Sequence, residues 1–336
     1  GDPFRKCALW GEDFPIYLSL NNYSWNAHAL LKRDEKAETF SFRDSWKFII
    51  FIETIRELNN YYISLKKTVP KSIKVASKIL EKIFSKPLPT WNELLGDKLY
   101  KLSKLTLPSG GLNEDAEFSI NAGEVTFDDI SKNESLRSKL SHNIEYLSNW
   151  LEKKVDESLK DNRIFLLFDK LDEAWDTNSI EVCKNINTGL IIASDYITQK
   201  YKGQLRPILF LREDIFETLS LNDKTKLRED CGALLKWDKD LLHKMILSRI
   251  NHHASTHGIQ TIHDLNEIFD RKELRSRATP LNYIIRSSFM RPRDIICFMK
   301  NIIYLDLYGV FADFVKKVEQ LTNKSLNQLE KKDWDN

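Results

Sequence analysis

The chain has 336 residues, of which 30% are charged, and its 51 Lys and Arg against 49 Asp and Glu leave a net charge of +2. That length holds one large or two ordinary domains, and so small a net charge gives no global field for a polyanion. The four cysteines (Cys7, Cys183, Cys231 and Cys297) stand far apart with no C-x-x-C pair, which indicates neither a zinc framework nor a disulfide scaffold.

Glycine is scarce, 11 in all, which favours helix over turn-rich β structure. The longest dense apolar stretch in a predicted helix, Phe48 to Ile52, lies between Lys47 and Glu53. A membrane span needs about 20 apolar residues, so no membrane helix is expected, and no secretory leader is read. The expected setting is reduced and cytoplasmic, without a membrane.

In chain order, Phe14 to Leu20 (FPIYLSL) reads as a strand and Asn21 to Arg43 as a loop. Ser45 to Leu65 reads as a long helix, with Trp46, Ile49, Ile50, Ile55, Leu58, Tyr62 and Leu65 recurring at three and four. Its first half is apolar nearly all round, so burial is expected there, with Trp25 and Trp46 as core residues.

Residues 66–131 change character and read as a helical and loop insertion. Lys67, Lys71, Lys74, Lys78, Lys82 and Lys86 step by three and four along one side of a helix, opposite Ile73, Ala76, Leu80 and Ile83. Such a stripe either tracks the phosphates of a nucleic acid or is a solvated face. Residues 105–131 then hold six acids and no base, and Ser119 to Phe127 reads as a small hairpin across Asn121-Ala122-Gly123. Ser131 to Lys160 is amphipathic, with Leu136, Leu140, Ile144, Leu147, Leu151 and Val155 at helical spacing.

The stretch Arg163 to Asp176, RIFLLFDKLDEAWD, opens with five apolar residues and then places Asp169, Asp172 and Glu173 within five positions. An unbroken apolar run fits a strand covered on both faces, as in a parallel sheet. Ligands of open α/β sheets bind beyond the carboxyl ends of such strands, and carboxylates gathered there are costly to desolvate without a cation or a proton. The alternative is an acidic N-cap region for the next helix. Ser179 to Lys200 reads as that helix, and Pro207 to Leu211 as a second strand ending in Arg212-Glu213-Asp214. Strand, helix and strand over this distance predict a parallel βαβ crossover.

No confident strand is read beyond Phe216. Helices are predicted at Asp238 to His253, Leu265 to Leu274, Leu281 to Phe289 and Arg293 to Leu307, then a pair to Trp334. Phe289-Met290-Arg291-Pro292-Arg293-Asp294 reads as a helix start with Pro in the first turn. His253 and His257 are i,i+4 beside His252 and His263, but no carboxylate or Cys completes a metal set. Nothing such as G-x-S-x-G positions a nucleophile.

Taken together, Phe165 to Glu173 (hhhhD-x-L-D-E), the Pro207 strand with Arg212, and Arg291 to Asp294 resemble the Walker B, sensor-1 and sensor-2 segments of bacterial AAA-like and STAND-type P-loop ATPases. Those proteins often carry D-G-L-D-E at the first point, and several are encoded with antiphage or mobile-element systems. The resemblance covers roughly residues 14–25 and 163–305. It implies an α/β fold, a P-loop NTPase-like parallel sheet core (1–235, with 66–131 inserted) followed by an all-helical lid (236–336). It also implies ATP and Mg²⁺ as cofactors. Asp169 would hold Mg²⁺ through its shell, and Glu173, with Asp172 as rival, would polarise the attacking water. Arg212 would read the γ-phosphate, and Arg293 or Arg291 would reach it from the lid. The implied partners are further copies of the chain and an effector such as a nuclease.

One part of that pattern is missing. No G-x-x-x-x-G-K-[ST] occurs, and the pair Gly110-Gly111 is followed by Leu-Asn-Glu with no Lys to reach a phosphate. In the class it resembles, that loop precedes the first strand, so an N-terminal piece is expected to be missing here or the loop to have been lost. The second expectation is therefore a non-hydrolysing module that binds nucleic acid, through Lys71, Lys74, Lys78 and Lys82, or a partner protein.

Overall fold

The computed structural model describes residues 13–20, 23–32, 40, 42–95, 97–108, 112, 119–120, 125–159, 162–172, 180–256, 258, 260–269, 279–288 and 290–306. The chain divides into two compact units, Gly1–Cys231 and Gly232–Asn336.

The first unit is mainly helical around a small parallel sheet. Strand β1 (Asp13–Ser19) leads to helix α1 (Trp25–Ala29), which occupies part of the span expected to be loop. Helix α2 (Arg43–Ser64) follows, then α3 (Lys71–Phe84), α4 (Trp91–Leu94) and α5 (Asp97–Tyr100). Strand β2 (Leu105–Thr106) pairs antiparallel with β3 (Ser119–Ile120). This corrects the expected hairpin. Ser119 and Ile120 pair backwards in the chain, and Thr126 with Asp129 forms a capping box that starts helix α6 (Phe127–Lys132) where a second strand was expected. The long amphipathic segment is likewise two helices, α6 and α7 (Glu134–Leu159), parted at Asn133. Strand β4 (Arg163–Asp169), helix α8 (Ile180–Lys200) and strand β5 (Leu205–Leu209) complete the crossover. Helices α9 (Glu213–Thr218) and α10 (Lys224–Cys231) end the unit.

The sheet order is β1-β4-β5, all parallel, with β4 central. The register sets Ile16, Leu166 and Pro207 side by side, and Ser19 opposite Asp169. The expectation that β4 is covered on both faces is corrected. Ile164, Leu166 and Phe168 are buried, while Phe165, Leu167 and Asp169 between them are only partly so. The period is therefore two, despite the unbroken apolar spelling. Trp46 of α2 meets Phe168 edge to face on the covered side, and its Nε1–H donates to Ile186 O of α8 at 2.8 Å.

The described part of residues 66–131 shares the core of this unit. Ile73, Ala76, Ile79, Leu80 and Phe84 are fully buried in the cluster that also holds Ile50, Leu147 and Leu166. A polar network, with Lys47 and Glu152 buried, ties three helices together. Lys47 Nζ of α2 lies 3.2 Å from Glu152 Oε2 of α7 and 4.5 Å from the ring centre of Tyr196 of α8, whose hydroxyl donates to Glu152 Oε1 at 2.8 Å.

The regular elements of the second unit, among its described residues, are all helical: α11 (Lys239–Thr256), a 3-10 turn at Leu265–Ile268, α12 (Pro280–Ser287) and α13 (Pro292–Asp306). Leu242, Ile246, Leu265, Ile285 and Ile295 form its core. Thr279 caps α12, accepting from Asn282 N–H at 3.3 Å, with Pro280 in the first turn where its missing N–H costs nothing. The segments expected as helix at 270–274 and beyond Leu307 lie outside the described residues.

Candidate functional site

The carboxyl ends of the three parallel strands bring together Ser19, Asp169 and, just past β5, Arg212. Backbone bonds carry the pairing to this edge: Leu20 N–H donates to Asp169 O at 3.1 Å, and Phe210 N–H to Phe168 O at 2.9 Å. Asp169 is held from two sides. Tyr17, on β1, donates its hydroxyl to Asp169 Oδ2 at 2.6 Å, and Lys170 N–H donates to Oδ1 at 2.8 Å. The bond to Asp169, then burial, raises the Tyr17 phenol above its ordinary value, because ionising it would put a second negative charge beside the carboxylate.

The turn after β4 is set by three features. Lys170 adopts a left-handed backbone, φ 63°, a region that disfavours side chains with a Cβ. Leu171 is buried. Asn187 of α8, itself buried, donates Nδ2–H to Leu171 O at 3.4 Å. Asp172 then stands half-exposed, with Arg212 Nη1 at 3.7 Å from its Oδ2. Arg212 occupies the N-cap position of α9 and is clamped by Asp214, with Nε to Oδ1 at 3.1 Å and Nη2 to Oδ2 at 2.6 Å. That fork holds Asp214 below its usual value and Arg212 above its own.

Of the expected site residues, Asp169, Asp172 and Arg212 meet at one edge of the sheet. Glu173 lies outside the described residues. Arg291 and Arg293 belong to the second unit, where Arg291 precedes Pro292 at the start of α13, and both are exposed. Arg291 O accepts from Ile295 N–H at 3.2 Å, and Asp294 occupies the first turn. Sequence reading passed over Tyr17 and Asp214. Alternation along FPIYLSL puts Tyr17 on the Ser19 face, away from Ile16 and Leu18, which was the available signal.

This chemistry suits a hydrated cation or a phosphate. Asp169 keeps acceptor capacity after its two donors, and Arg212 offers a planar fork already aligned by Asp214.

Two comparisons bear on this architecture. The family described as "FunZ-associated C-terminal helical domain" matches residues 240–306, which fall within the second, helical unit. The chain is also 26% identical over 299 residues to the "Putative transposon gamma-delta 80.3 kDa protein" of Escherichia coli (strain K12). That alignment covers 85% of this chain and 36% of the relative, so the chain spans about a third of that protein's length. No solved structure matches the chain significantly. Among the described residues, no helix is long and apolar enough to cross a membrane.

Proposed function

We propose that the chain belongs to an AAA-like P-loop ATPase that works as a nucleotide-driven switch or motor subunit, with a C-terminal helical lid. The carrying observation is Asp169 at the carboxyl end of the central strand of three parallel strands, with Asp172 and Arg212 gathered at the same edge. Asp169 fits an outer-shell role toward Mg²⁺, since Tyr17 and Lys170 N–H hold the carboxylate in place and leave its other lone pairs open. Bound Mg²⁺ would supply charge neutralisation on the phosphates. Glu173, or Asp172, would orient the attacking water, and Arg212 would turn from Asp214 toward the γ-phosphate. Arg293 or Arg291 would contribute from the lid, and homo-oligomerisation would complete sites between subunits. The transposon in the relative's name suits a mobile-element or antiphage setting with an effector such as a nuclease.

The second reading, a non-hydrolysing module that binds nucleic acid or a partner protein, is favoured by one observation: these 336 residues contain no G-x-x-x-x-G-K-[ST]. ATP turnover by the protein expressed from its complete natural reading frame separates the two. The ATPase reading expects magnesium-dependent hydrolysis, lost by orders of magnitude in Asp169→Asn and in Glu173→Gln, with ATP binding kept in the latter. Absent hydrolysis in that protein, or full turnover in both variants, overturns it.

A further inference from the structure

We propose that the outer face of α3 is a docking site for the phosphate backbone of duplex DNA, a site independent of the strand-end cluster. Lys71, Lys74, Lys78 and Lys82 are all exposed on this helix, and Glu81 is its one acid. The opposite side, Ile73, Ala76, Ile79, Leu80 and Phe84, is fully buried. From Lys71 to Lys82 the helix advances roughly 16 Å. One strand of B-DNA carries a phosphate every ~3.4 Å of axis, so about five phosphates lie along that length. Lys66 and Lys67, exposed just before the helix, extend the basic line.

Three observations give the stripe a ligand of this class. First, α3 is rigidly placed. Its apolar side is core, and the hydroxyls of Ser72 and Ser158 on α7 are hydrogen-bonded at 2.7 Å. An interfacial membrane helix must sink its apolar face into lipid, and α3 has none to offer, so whatever binds it meets the charged face side-on. Second, the charges at its start run against the helix dipole. The first turn holds no acid, Pro70 at the N-cap offers no side-chain acceptor, and Lys71 and Lys74 stand there. Cations at the positive end of a helix are unfavourable on their own and become favourable when an anion lies across them. Third, the stripe is all lysine, and Phe84, the one aromatic residue of α3, is buried. Bidentate arginines that read bases and aromatic platforms that stack single strands are both missing from the exposed face. The contact is with phosphates alone and is not sequence-specific.

The test is fluorescence anisotropy of a fluorescein-labelled 25-base-pair duplex, titrated with the full chain at several KCl concentrations. Four charges removed in Lys71→Gln, Lys74→Gln, Lys78→Gln and Lys82→Gln together should flatten the log–log salt slope by about 3 to 4 units, at about 0.9 per phosphate contact, and weaken binding at low salt by at least about thirtyfold. A control with Lys139→Gln, Lys153→Gln, Lys226→Gln and Lys236→Gln, also exposed, should stay within about threefold of wild type, its charge loss being off the contact path. Should the fourfold variant melt early by circular dichroism, the pair Lys74→Gln and Lys78→Gln replaces it, with a slope change of about 2 units. Equal losses in stripe and control variants, an unchanged slope, or no binding of the duplex by wild type overturns the proposal. So does tighter binding to phosphatidylserine–phosphatidylcholine vesicles than to the duplex.

Discussion

Tyr17 donates its hydroxyl to Asp169 Oδ2 at 2.6 Å, linking β1 to the end of the neighbouring strand β4. The register sets Tyr17 beside Leu167, two residues short of Asp169, so the phenol reaches forward along the sheet to the carboxylate. Tyr17→Phe removes a hydrogen bond to a charged acceptor at a position 40% exposed. Its stability cost is about 1 kcal/mol or less. If Asp169 works as proposed, turnover falls by about tenfold, because the carboxylate loses the group that fixes its rotamer. An independent check is ¹³Cζ-tyrosine NMR. The Tyr17 phenol titrates above its ordinary value in wild type because of Asp169 first, then burial, and moves down in Asp169→Asn.

The left-handed backbone at Lys170, φ 63°, favours glycine, which has no Cβ to crowd the carbonyl. Lys170→Gly is expected to leave stability unchanged or raise it by up to about 1 kcal/mol. Lys170→Val, a β-branched residue in the same region, is expected to lower it by about 1 to 3 kcal/mol. Urea midpoints of the two variants check the ordering. The reverse order would mean that the Lys170 side chain itself holds the turn.

Gly189 on α8 faces Phe42 at the start of α2. A Cβ there would lie 2.6 Å from Phe42 Cβ and 3.0 Å from its carbonyl carbon. In an exposed helix Gly→Ala stabilises by about 1 kcal/mol. Here the clash is with backbone that cannot swing aside, so Gly189→Ala is expected to destabilise by about 1 to 3 kcal/mol. Chemical denaturation reads the sign directly.

His28 is fully buried, and burial lowers its pKa to about 3. Its ring bonds Ser45 Oγ through Nε2 at 2.7 Å and the Tyr23 hydroxyl through Nδ1. The unfolded chain binds a proton near pH 6.5 that the folded chain refuses. Stability from this group is therefore complete above about pH 6.5 and is lost as pH falls toward 3, by about 1.4 kcal/mol per unit. Denaturation at pH 7, 6, 5 and 4 should show that slope, reduced by about one proton in His28→Gln. A slope equal to wild type in that variant would show that other groups carry the acid sensitivity.

Local pattern determined a good deal of this molecule. The three- and four-residue recurrence named most of the buried side chains of α2, α3 and α7, because a helix's faces are set by its own period; Leu65, on the same recurrence just past α2, is 46% exposed. The flip from apolar run to carboxylates placed Asp169 at a strand end, and a strand–helix–strand spacing required parallel pairing of β4 with β5. Asn133 parts α6 from α7 by a local cap, its Oδ1 accepting from Leu136 N–H at 3.2 Å, whereas Ser119 pairing with Thr106 was not legible, since it depends on which neighbour the chain meets in space.

Tertiary structure alone decided the rest. The five apolar residues of β4 look equivalent in sequence, yet only alternate ones are buried, because helix packing closes one face of the sheet more than the other. The spelling of 66–131 reads as an insertion; packing makes α3 a wall of the first unit's core, and that fixes its lysines in one line on the surface. Tyr17 and Asp169 are 152 residues apart, and only parallel pairing of β1 with β4 brings phenol to carboxylate. The sequence determines which groups are available; the register determines which of them meet.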